Sequence, residues 1–142
     1  MNGALAAFKL FYESFDRESL NNLQNIYSDE ILFIDPIHEI RGIERLERYF
    51  ENMCGDLTYC RFKFVDEMIQ PGRACFKWEM YYRHPKIKKN APLHLSGTSF
   101  IKYSQKIDTH EDFYDMGAML YEHIPVLGGA IRLLKSKITN GI

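Results

Sequence analysis

The sequence predicts an α+β domain in which three helices pack on one face of a bent antiparallel sheet. Two observations carry this. Apolar residues recur with a helical period as far as Met53, then alternate with polar ones from about residue 57 onward. The alternating segments are separated by short turns such as Pro71-Gly72 and Ser104-Gln105-Lys106, the connection that antiparallel strands use. A chain of 142 residues suits one domain over 1–142, with 116–142 as a C-terminal helical extension.

Residues 4–15 read as the first helix, because Leu5, Phe8, Tyr12 and Phe15 form one apolar stripe that Phe11 widens. Asp16 is placed to cap a second helix with Leu20, Leu23, Ile26 and Tyr27 on its inner side, ended by Ser28-Asp29. Ile31-Leu32-Phe33-Ile34 is a short strand, stopped at Asp35-Pro36. Arg41-Gly42 turns into a third helix that buries Ile43, Leu46, Phe50 and Met53. Thr58, Cys60, Phe62 and Phe64 then alternate with Tyr59, Arg61 and Lys63. After Pro71-Gly72, Ala74, Phe76, Trp78, Met80 and Tyr82 alternate with Arg73, Cys75, Lys77, Glu79 and Tyr81. His84 to Asn90 is a basic, solvated hairpin loop. Residues 93–103 form the next strand, in which Gly97 marks a bulge or a close approach.

The last strand, Ile107 to Asp115, has two chemically different faces. Ile107, Thr109, Glu111 and Phe113 share one; Asp108, His110, Asp112 and Tyr114 share the other. An imidazole, carboxylates and a phenol on one side of a strand make a candidate site if that side is enclosed, and an ordinary polar face if it meets water.

Composition excludes several classes. The net charge of −1 gives no electrostatic footprint for nucleic acid, and no apolar run is long enough to span a bilayer. The first residues lack a signal peptide's basic and apolar regions. Cys54, Cys60 and Cys75 have no metal-ligand spacing and read as packing residues of a cytoplasmic protein. No metal and no cofactor is expected.

Several segments together carry a family resemblance. Tyr27 to Pro36, Arg41-Gly42-Ile43-Glu44, Gly97 to Tyr103 and Asp112-Phe113-Tyr114-Asp115 resemble the nuclear transport factor 2 (NTF2)-like, or SnoaL-like, superfamily. The resemblance runs from about residue 5 to about residue 115. It implies a cone, a strongly curved sheet wrapped on helices with a pocket in its mouth. Members include ketosteroid isomerases, epoxide hydrolases, polyketide cyclases, dehydratases and non-catalytic modules, so the fold does not give the function.

Set against the ketosteroid isomerases, the resemblance puts Asp35 on the general base, Phe11 where a tyrosine should hold the oxyanion, and Ser99 where a protonated aspartate should. Tyr12 is one residue off, about 100° away around the helix. The base position is kept and the oxyanion hole is lost. The same resemblance turns His110, Asp112 and Tyr114 towards the pocket, with Phe76, Trp78, Met80 and Tyr82 as aromatic and thioether wall. The epoxide hydrolase relay needs an arginine on the inner side of residues 93–103, where none stands and Lys102 reads outward.

The candidate catalytic set is therefore Asp35, His110 and Asp112. The candidate substrate-binding set is Phe11, Tyr12, Phe76, Trp78, Met80, Tyr82, Ser99 and Tyr114. Each has a plainer reading: Asp35 as a strand-end turn residue, His110 as a satisfied histidine, the aromatics as core. His38, His84, His94 and His123 read as loop or surface residues. Two functions stay open: a small enzyme of isomerase, cyclase or dehydratase type acting by proton transfer on an apolar, oxygenated ligand, or a non-catalytic binding or dimerisation module.

Two expectations concern assembly. Phe100 and Phe113 fall on the sheet side that no helix covers, which predicts a homodimer. In the extension, Pro125 and Gly128-Gly129 break the chain. Residues 130–138 form a short basic amphipathic helix, with Ile131, Leu134 and Ile138 on one side, packed on the fold or a partner, or in weak contact with a membrane surface.

Overall fold

The computed structural model describes residues 1–119 and 127–140. Helix α1 (Gly3–Glu13) starts where the Asn2 side chain accepts hydrogen bonds from the Ala4 and Leu5 N–H groups, and it buries Leu5, Phe8, Phe11 and Tyr12. Asp16 caps the next turn, accepting the Ser19 N–H at 2.8 Å. The expected second helix is only a 3₁₀ turn (Glu18–Asn22) and one helical turn, α2 (Leu23–Ile26). Tyr27 is extended at φ −107°, ψ 145° and opens strand β1 (Tyr27–Ile34) instead of closing the helix. Its pairing with Ile107, 80 residues on in the chain and on the neighbouring strand of the sheet, overrides the local helical pattern.

The brief strand β2 (Glu39–Arg41) pairs antiparallel with β1 and is too short to show alternation in the sequence. Gly42, at φ +94°, then starts α3 (Ile43–Asp56), which buries Ile43, Leu46 and Phe50 as expected. Four long strands complete the sheet: β3 (Tyr59–Gln70), β4 (Arg73–Arg83), β5 (Leu93–Tyr103) and β6 (Ile107–Tyr114). The sheet order is β2-β1-β6-β5-β4-β3. From β3 to β6 every pairing is antiparallel, as expected. β1 departs from that pattern by pairing parallel with β6. No hairpin joins these two strands, so nothing forces them to run in opposite directions.

The register of β6 slips by one residue, with Lys102 opposite Thr109 but Tyr103 opposite Ile107. Ile107 and His110 are both buried and Asp108 is pushed into solvent, where it accepts from Ser104 Oγ. Strict alternation therefore misplaces Ile107 and Asp108, while His110, Asp112 and Tyr114 keep their expected side.

The space between sheet and helices is filled largely by rings. Phe8 lies 5.2 Å from Phe76 and 4.8 Å from Tyr12 between ring centres, and Phe50 packs on Phe11, Phe15 and Phe33. Cys60 is buried, which pushes its thiol up to about 12.

After β6 come α4 (Met116–Met119) and α5 (Leu127–Asn140). Gly128 and Gly129 do not break the chain as expected. They sit in the first turn of α5, where N–H groups have no intrahelical acceptor to lose. Pro125 and His123 lie outside the described residues. Lys135 bridges to Asp115 at 3.2 Å and Ile131 is half-buried, yet Leu134 and Ile138 remain 61% and 62% exposed, so the apolar side of α5 is covered only towards its start. Among the described residues no helix is long and apolar enough to cross a membrane.

Candidate functional site

A chain of buried polar groups runs across the sheet. Tyr12 Oη lies 3.2 Å from Tyr27 Oη, which lies 2.8 Å from His110 Nδ1. His110 Nε2 lies 2.6 Å from Asp112 Oδ1. Ser99 Oγ donates to that same oxygen at 2.5 Å and accepts from Trp78 Nε1 at 2.9 Å. The donors can be assigned by elimination. The Asp112 carboxylate only accepts, so Nε2 carries the imidazole proton. Nδ1 pairs with the Tyr27 hydroxyl, which pairs in turn with that of Tyr12. Burial, aided by the Asp112 charge, holds Tyr12 and Tyr27 well above the ordinary phenol range, so both stay neutral donors.

Asp35 ends β1 in a second cluster. Its Oδ1 accepts from the Ile37 and His38 N–H groups at 3.0 and 2.7 Å and faces His38 Nδ1 at 3.0 Å, while its Oδ2 accepts from Tyr49 Oη at 2.8 Å. This is the Asx turn that a residue before a proline offers, completed by a ring and a phenol. The hydroxyl of Tyr114 also feels Asp35. Tyr49 and Tyr114 are both raised well above the usual phenol range, first by burial and then by the Asp35 charge.

Between the two clusters lies a cavity of about 40 Å³. Rings of Tyr12, Phe33, Tyr49, Phe50, Phe62, Trp78 and Tyr114 line it, with Met53, Met80 and Leu95. Asp112 is its only carboxylate, and neither lysine nor arginine lines it. Asp112 Oδ1 holds both hydrogen bonds; no described residue bonds its Oδ2.

Of the expected site residues, Tyr12, Trp78, Met80, Asp112 and Tyr114 line this cavity. Ser99 and His110 stand behind Asp112 and reach the cavity only through it. Phe11, Phe76 and Tyr82 do not line it. Phe11 points from α1 into the rings of Phe15 and Phe50, while its neighbour Tyr12 faces the cavity. Phe76 is packed under Phe8 and Phe64. Tyr82 instead lines an outer groove with Tyr59 and Arg83. Inward residues of one strand repeat about every 7 Å, so β4 is too long for its whole inner face to meet one small cavity.

Three participants are absent from the expected set, and two of them escape the sequence pattern. Tyr27 reads as helical there, and its partner His110 is 83 residues away. His38 reads as a loop residue. Tyr49 was legible, since it lies three residues after Leu46 and four before Met53, on the apolar stripe of α3.

Gly97 makes the Trp78–Ser99 contact possible. A Cβ there would stand 2.3 Å from the indole ring, so only glycine lets the ring lie across β5 and reach Ser99. Gly97→Ala is expected to cost about 3 kcal/mol, the upper range for overpacking, or roughly 10 °C in Tm. Trp78 is the only tryptophan, so its emission reports the displacement directly. An unchanged melting curve and emission spectrum would show that the strand yields instead.

Comparison with known proteins places this geometry. No curated protein sequence matches the chain. An NTF2-like protein of unknown function from Burkholderia pseudomallei superposes with a TM-score of 0.73 at 12% identity, over 84% of this chain and 96% of that one. A protein of ketosteroid isomerase-like fold from Catenulispora acidiphila, in complex with trimethylamine, gives 0.70 at 9% identity, over 82% and 88%. A putative SnoaL-like polyketide cyclase from a Jannaschia species gives 0.72 at 6%, over 83% and 89%. At such identities these likenesses show the fold alone. The SnoaL-like domain family itself matches residues 8–107, from α1 to the first residue of β6, and the chain belongs to that family.

Proposed function

We propose that this SnoaL-like protein is a small-ligand enzyme in which Asp112 exchanges a proton with the bound molecule, in the manner of an isomerase, cyclase or dehydratase. One observation carries the reading. Asp112 stands on the wall of an apolar cavity with Oδ1 fixed by His110 and Ser99, and no described residue bonds its Oδ2. A carboxylate held in one orientation, with one oxygen that no described residue bonds, is suited to general acid–base chemistry. In this reading Asp35 is structural, because both its oxygens are already engaged by its own turn and by Tyr49.

A second reading, binding without turnover, is favoured by the cavity volume of about 40 Å³. That is well below the several hundred Å³ of ordinary ligand pockets, and it limits the ligand to a few heavy atoms unless the walls part. The trimethylamine of the Catenulispora protein is of that size.

A screen of small oxygenated and nitrogenous compounds, read by thermal shift and Trp78 emission and completed by product analysis, separates the two. A compound that stabilises the fold and is converted supports the enzyme. Saturable binding with no conversion leaves the binding module.

We also propose a homodimer through the outer face of the sheet. Phe100 and Phe113 are 40% and 53% exposed there, next to a groove formed with Met68, Ile69 and Cys75. Light scattering is expected to give twice the chain mass at micromolar concentration, and Phe100→Glu with Phe113→Glu to halve it. A monomer before substitution would remove the proposal.

A further inference from the structure

The donors around the cavity are almost all spent within the protein. Tyr12 is hydrogen-bonded to Tyr27, Tyr49 gives its proton to Asp35, Trp78 to Ser99, and Ser99 and His110 give theirs to Asp112. What is left for a ligand is Asp112 Oδ2, which no described residue bonds, and the hydroxyl of Tyr114. A ligand carboxylate or developing oxyanion would meet the Asp112 charge with no cation among the lining residues, and such a mismatch is costly.

The charge balance points the same way. Asp112 lines the cavity, Asp35 lies behind Tyr49, and no lysine or arginine is among the lining residues. The walls are aromatic rings: Trp78 and Phe62 meet at 5.3 Å between ring centres, Tyr12 and Phe62 at 5.0 Å, and Phe50 and Tyr114 also line the cavity. Electron-rich faces around one carboxylate are the setting in which alkylated ammonium ions are bound. A volume of about 40 Å³ is small beside ordinary ligand pockets, so the cation is small.

We propose that the ligand of this cavity is a small alkylated ammonium ion whose N–H group donates to Asp112 Oδ2 while its alkyl groups rest against Trp78, Phe62, Phe50 and Tyr114. This rests on the reading that the cavity at Asp112 is the ligand site, and it names the class of molecule that site takes. It does not depend on whether conversion follows binding.

The test is a titration of the full chain with trimethylammonium chloride, monitored by Trp78 emission and thermal shift. Tert-butyl alcohol serves as an uncharged compound of similar shape, and sodium chloride controls for ionic strength. The ammonium ion is expected to bind at least tenfold more tightly than the alcohol. Asp112→Asn is expected to weaken it by tenfold or more. Phe62→Leu, which leaves the hydrogen-bonded chain intact, should weaken it about threefold to tenfold by removing one aromatic face without affecting the alcohol. Far-UV circular dichroism checks that both variants fold. If the alcohol binds as tightly as the cation, the cavity takes neutral ligands; the inference is overturned and proton exchange at Asp112 stands. If neither compound perturbs Trp78 and the wider screen also returns nothing, both readings fall together.

Discussion

Asp112→Asn is expected to lower turnover by about 10²–10⁴-fold, the usual size of a general acid–base effect, while Asp35→Asn leaves turnover per folded molecule within a few-fold of the parent. The two carboxylates differ in what is left for a ligand. Asparagine at 112 keeps an oxygen for His110 and Ser99, so the wall of the cavity survives, but its amide cannot accept a proton. At Asp35 the oxygens already answer to two backbone N–H groups, His38 and Tyr49. An amide there disturbs a buried turn, and the loss shows as about 1–3 kcal/mol of stability. Steady-state kinetics on a converted ligand, beside melting curves of both variants, separates the roles. Loss of turnover in Asp35→Asn with an unchanged melting temperature would return the base to Asp35.

The contrast between these aspartates marks how far the sequence could be read. Local patterns placed α1, α3 and the long strands, because each buries a face whose period is visible within ten residues or so. Gly97 announced a close approach, and the structure supplies its partner, the Trp78 ring. What local patterns could not show is pairing at a distance. Tyr27 continues a helical stripe and becomes extended only because the parallel pairing with β6 claims it. Its bond to His110 was hidden for the same reason. The one-residue slip in β6 that exposes Asp108 depends on the β5 register, which no window of β6 alone contains. The resemblance to a fold family drew attention to Asp35 by position. The side-chain chemistry around it, Tyr49 above all, is what distinguishes an engaged carboxylate from one with an oxygen to spare.

The second large effect is alkaline unfolding. Tyr12, Tyr27, Tyr49 and Tyr114 all have folded-state values raised above the ordinary phenol value of 10.0, with burial the leading cause. In the unfolded chain they ionise near that value. Below about pH 10 the phenols are protonated in both states, and stability does not depend on them. Above it the unfolded state binds fewer protons than the folded one, so stability falls as pH rises, until the folded-state values are passed. Each such group contributes about 1.4 kcal/mol per pH unit, so four together remove roughly 5 kcal/mol per unit. Cys60, raised from 9.0 to about 12, adds to the fall from pH 9. Against a total stability of about 5–15 kcal/mol, the protein is expected to unfold cooperatively within one to three pH units above 10. Circular dichroism and Trp78 emission recorded together through that range should change in one step, and the tyrosinate absorbance of the four buried phenols should appear with it, after that of exposed tyrosines such as Tyr59 and Tyr81. Tyr49→Phe should make the fall shallower by about one group's share, even though it starts from a lower stability because Asp35 loses a donor. Ionisation of all the tyrosines, the four buried ones included, with secondary structure and Trp78 emission intact, would mean that these phenols meet solvent, and the buried chain from Tyr12 to Asp112 would lose its physical basis.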